Sequence, residues 1–91
     1  MEAKDINGCI EITINDKKLI SVCITKGLLK KINELFTVKQ THIERIEKQM
    51  VILFGEDKNN YDDYTMSELN DILGVVGRYI ENPGEFSKNP T

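Results

Sequence analysis

Residues 41–54, Thr-His-Ile-Glu-Arg-Ile-Glu-Lys-Gln-Met-Val-Ile-Leu-Phe, decide the fold, because two readings compete for them. As a helix, Thr41 and Glu44 make a capping box, in which the threonine side chain and the glutamate three residues on satisfy each other's free backbone N–H groups. Ile43, Ile46, Met50 and Leu53 then share one face, and Gly55 can end the element. As strands, Val51-Ile52-Leu53-Phe54 is a compact apolar run, Lys48-Gln49 turns the chain from a strand near 41–47, and a short strand follows near 61–65.

The neighbouring elements tip the reading toward strands. Ile10, Ile12 and Ile14 alternate with Glu11 and Thr13, and Ile20, Val22 and Ile24 alternate with Ser21, Cys23 and Thr25. Both runs are β-branched, so they form a hairpin. Pairing residue 12 with 22 around the loop Asp16-Lys17-Lys18 puts all six aliphatics on one face. A lone two-stranded hairpin gives little sheet for several helices, which favours further strands within 41–65.

The expected fold is therefore α+β: hairpin, short helix, two or three further antiparallel strands, C-terminal helix. The alternative is a hairpin followed by three helices. The short helix is carried by Leu28, Leu29, Ile32, Leu35 and Phe36. The last begins at the capping box of Thr65 and Glu68, runs along Leu69, Ile72, Leu73, Val76 and Ile80, and stops at Asn82-Pro83-Gly84. Residues 1–7 and 83–91 read as flexible tails around a single domain over 8–82.

The chain has 91 residues, 40% hydrophobic and 30% charged, which suits one globular domain and argues against disorder. No apolar stretch approaches a membrane span and no leader is recognisable at the N-terminus, so a cytoplasmic location is expected. Lysine outnumbers arginine and isoleucine is abundant, a bias of AT-rich genomes that fits a low-GC bacterium or a phage. In the assumed register Cys9 lies diagonal to Cys23 and Cys23 faces Glu11, so two free thiols are expected rather than a disulfide.

No catalytic constellation stands out. His42 is the one histidine and has no nucleophile or carboxylate partner in the sequence pattern. The six glycines never make a phosphate-binding spacing, and no cofactor or metal site is expected.

Charge is segregated instead. Residues 17–42 hold six lysines against Glu34 alone, whereas residues 51–91 are strongly acidic. The lysines offer a weak nucleic-acid patch, opposed by a pI near 5.1. Glu56, Asp57, Asp62, Asp63, Glu68 and Asp71 offer the opposite, an acidic patch that imitates phosphates and occupies a DNA-binding protein.

The last helix carries the leading expectation. Gly74 and Gly77 interrupt it at a cost in helix propensity, and Val75 and Tyr79 widen its apolar stripe. These four residues are the expected partner-binding site of a small non-enzymatic interaction protein, a homodimer that binds another protein as an inhibitor or adaptor.

Overall fold

The computed structural model describes residues 1–55 and 61–88. Strands β1 (Glu2–Ile6), β2 (Cys9–Ile14) and β3 (Lys17–Ile20) precede helices α1 (Lys26–Leu35), α2 (His42–Phe54) and α3 (Met66–Glu81), and the two-residue β4 (Ser87–Lys88) follows. The sheet order is β3-β2-β1-β4, antiparallel through the first three strands and parallel between β1 and β4. The fold is α+β.

Residues 41–54 are a helix, which corrects the strand reading. Both halves of the Thr41–Glu44 capping box form, and Ile46, Met50, Leu53 and Phe54 are buried along one side. The short strand expected near 61–65 is instead a single 3₁₀ turn, Tyr61–Asp63. The Tyr61 hydroxyl donates to the carbonyls of Met50 and Gly55, tying this turn to the end of α2.

The missing sheet comes from the N-terminal segment. Residues 1–7, expected as a tail, contain β1, and β1 lies inside the sheet between β2 and β4. Asn7 and Gly8 join β1 to β2 with φ of 50° and 90°, the positive values that a two-residue type I′ hairpin turn demands. Part of 83–91 is also structured: Pro83–Glu85 make a 3₁₀ turn, Phe86 is buried, and Ser87 pairs with Lys4. Residues 89–91 lie outside the described residues.

The second hairpin has a tighter turn than expected. Asn15 and Asp16 take φ of 45° and 66°, so Ile12 pairs with Leu19 rather than with Val22. Leu19 enters the core, while Ile20 points away and is 54% exposed. The shift follows from the turn: two residues with positive φ close the hairpin earlier, and odd displacement exchanges the faces of a strand.

The core is one cluster. Ile10, Ile12, Ile14 and Leu19 from the sheet meet Ile46, Met50 and Leu53 of α2 and Leu69, Ile72, Val75, Val76 and Tyr79 of α3. Helix α1 stands apart. Thr25 caps it, and its sequence is strongly amphipathic, yet none of its residues is buried. Leu28 and Ile32 rest only partly against the core.

Candidate interaction surface

The expected site on α3 is rearranged by packing. Val75 and Tyr79 are buried in the domain's own core, Tyr79 at 4% exposure, so neither can anchor a partner from the surface. This corrects the reading of a widened stripe as an interface. The stripe is wide because α3 sits against both the sheet and the C-terminal turn. The Tyr79 ring meets Phe86 edge-on at 5.4 Å. Its hydroxyl donates to Asp5 Oδ1 at 2.6 Å, and the same oxygen accepts from the Gly8 N–H at 3.2 Å. Burial foremost, then the hydrogen bond and charge of Asp5, push the Tyr79 hydroxyl up to about 12.

Gly74 and Gly77 face solvent, and a Cβ added at either meets nothing within 4 Å. No close approach within the described residues requires them. Gly77→Ala is therefore expected to stabilise the protein by about 1 kcal/mol through helix propensity, read as a shift of the urea midpoint at constant slope. A loss of stability would show that something packs on that strip.

The acidic patch separates into unlike parts. Asp62, Asp63 and Asp71 are exposed, whereas Glu56 and Asp57 lie outside the described residues. Glu68 is 8% exposed and committed to structure. It accepts from Asn15 Nδ2 at 2.7 Å, from the Thr65 N–H at 2.8 Å and from Lys17 Nζ at 3.1 Å. The Asn15 bond foremost, then those from Thr65 and Lys17, hold its carboxyl down at about 2. Lys17 also donates to the Asp63 carbonyl and stands 4.4 Å over the Tyr64 ring. This network ties the β2–β3 turn to the start of α3, so Glu68 and Lys17 are absent from any free charged face. Lys18 pairs with Glu11 at 3.5 Å. Lys26, Lys30, Lys31 and Lys39 are exposed with no ion pair among the described residues.

The surface that sequence reasoning missed is formed around α1 and α2. An open groove of about 480 Å³ runs between α1 and α2, lined by Leu35, Val51 and Ile52 and rimmed by Glu44, Glu47 and Lys48. Beyond α2, a smaller cleft of about 170 Å³ is lined by Ile43, Tyr61, Tyr64 and Met66. Phe36 and Ile43 are 57% and 63% exposed, and Val38 between them is also open. Arg45 covers one face of Phe36 at 5.3 Å. The signal for this surface in the sequence was the run of aliphatics in α1, among them Leu28, Ile32 and Leu35.

Among the described residues no group of three or more histidine, cysteine or acidic side chains is placed to hold a metal ion, and no helix is long and apolar enough to cross a membrane. His42 is exposed at the start of α2. The fold defines the class, a small α+β protein with an uncovered helical groove. In comparison with known proteins, the chain matches no family model, no curated protein and no solved structure.

Proposed function

We propose that this is a non-enzymatic, cytoplasmic interaction protein that works as a symmetric dimer and acts by holding another protein. The observation that carries the reading is the unburied apolar side of α1 beside the α1–α2 groove. A helix of 10 residues has little stability of its own, so its apolar side needs cover. Clustered exposed aliphatics and aromatics are the surface a protein contact uses.

A second copy suits that face. Helix α1 carries the exposed Lys30 and Lys31, and the groove is rimmed by Glu44 and Glu47, with Lys48, of α2. A two-fold axis that seats α1 of each copy over α2 of the other brings Lys31 toward the acidic rim and buries Leu35, Val51 and Ile52 twice. Sedimentation equilibrium tests this. The wild type is expected to be dimeric, and Ile52→Asp monomeric with the fold retained. Lys31→Glu and Glu47→Lys are each expected to weaken the dimer about tenfold, and the two together to recover part of the loss. A wild type that is monomeric at every concentration, or a dimer indifferent to Ile52→Asp, overturns the arrangement.

A second reading, direct nucleic-acid contact, is favoured by one observation: Lys26, Lys30, Lys31 and Lys39 are exposed and make no ion pair among the described residues. It calls for a gel shift that weakens steeply with salt. The acidic-mimic reading is weakened by the commitment of Glu68 to the α3 cap.

A further inference from the structure

Cys9 and Cys23 are unbridged, but they are not apart. Their Sγ atoms lie 3.5 Å from each other, close enough for one thiol to hydrogen-bond the other. The arrangement expected from the sequence, with Cys23 opposite Glu11, is replaced because Glu11 pairs with Ile20. Cys23 lies beyond β3, in the link to α1. The backbone there is held in place: the Ser21 N–H donates to the Ile10 carbonyl, the Val22 N–H to the Leu53 carbonyl and the Ile24 N–H to the Gly8 carbonyl, each at 2.9 Å. The last of these bonds brings the neighbours of the two cysteines together and so fixes the sulfur pair.

The geometry points to a reversible redox-modification site, in which Cys9 and Cys23 join as an intramolecular disulfide. A disulfide needs its sulfurs at about 2.05 Å, and side-chain rotation alone can close much of the remaining gap. Cys23 is exposed and Cys9 half-buried, which assigns the roles. Cys23, as thiolate, attacks one sulfur of a low-molecular-weight disulfide, and the first small thiol leaves. Cys9, as thiolate, then attacks Cys23 Sγ and expels the second small thiol. The two cysteines lose two electrons and two protons, and the oxidant's sulfurs depart as two thiols. Burial foremost, then the hydrogen bond to Cys23, push the Cys9 thiol up, which suits the slower, resolving partner.

The bond closes a loop of about 15 residues that contains all of β3, and it fastens the lead-in of α1 to the beginning of β2. Because α1 is the least buried helix, its placement depends on that lead-in. The modification therefore lies where it can act on the exposed groove.

The test uses the full chain equilibrated in buffers of graded oxidised to reduced glutathione, quenched with an alkylating reagent and weighed intact. The expected result is one transition in which both cysteines escape alkylation together with a loss of about 2 Da, and a rise in Tm on the order of 10 °C. Cys9→Ser is expected to retain glutathione on Cys23 instead, because its resolving thiol is gone. Independent glutathione adducts on both cysteines of the wild type overturn the proposal, as do disulfide-linked dimers in place of the internal bond. A Cys9→Ser variant that carries no glutathione on Cys23 in the same buffers also overturns it.

Discussion

Removing residues 1–6 is expected to abolish cooperative unfolding altogether. The deletion takes out β1, the strand that joins β2 to β4, and with it the register pairs Asp5–Ile10 and Ala3–Ile12. What remains of the sheet is the two-stranded β2–β3 ribbon, and such ribbons are marginal in water. The faces of Ile10, Ile12 and Ile14 lose their hydrogen-bonded neighbour, and Tyr79 loses its acceptor. A domain of this size has a stability of about 5–10 kcal/mol, which the loss of an inner strand exceeds. A far-UV circular dichroism melt checks it. A truncated chain that melts sharply near the wild-type Tm would return these residues to the status of a tail.

The second large effect is at the Asp5–Tyr79 pair. Asp5→Ala leaves the Tyr79 hydroxyl buried without its carboxylate partner and takes an acceptor from Gly8, at an expected cost of about 2–3 kcal/mol. Tyr79→Phe is expected to cost about 1–2 kcal/mol, and the double variant less than the sum, since both remove one interaction. The pH dependence has a definite sign. The folded-state value near 12 lies above the ordinary tyrosine value of about 10, so folding favours the protonated hydroxyl. That contribution is complete below pH 10, declines as pH rises above 10 and is gone once pH passes 12. Urea midpoints measured from pH 9 to 12 are expected to fall more steeply in the wild type than in Tyr79→Phe. Parallel slopes would show that this hydroxyl has no special place in alkaline unfolding.

Local chemistry made much of the fold legible. Both capping boxes, at Thr41–Glu44 and Thr65–Glu68, formed as their spacing implies. The alternation in 9–14 marked β2, and Asn82-Pro83-Gly84 marked the end of α3. The strand reading of 41–54 failed because the shortage of sheet was real but was met elsewhere. Glu2–Ile6 has little hydrophobic character and is held by its neighbours. The clue was Asn7-Gly8, a strong hairpin-turn pair directly before Cys9.

The register was harder. Asn15 and Asp16 both accept positive φ, and a two-residue turn there and a three-residue turn one position later both fit the run of polar residues. Only the choice of Leu19 over Ile20 for the core distinguishes them. The candidate site was least legible for the same reason. Whether Val75 and Tyr79 face a partner or their own sheet depends on what lies across from them, and so does the exposure of α1. Glu68 could have been separated from the acidic patch in advance, since the capping box already assigned its side chain.

The bond between Asp5 and Tyr79 spans 74 positions of chain, and this sets an order of events during synthesis. The three N-terminal strands leave the ribosome first and can pair through their short turns at once. Their inward face, Ile10, Ile12, Ile14 and Leu19, has nothing to cover it until α2 and then α3 have been made. At the pace of translation, roughly 5–20 residues per second, the nascent sheet stays greasy on one side for several seconds. Chaperone capture on the ribosome should therefore concentrate on nascent chains that end short of α3.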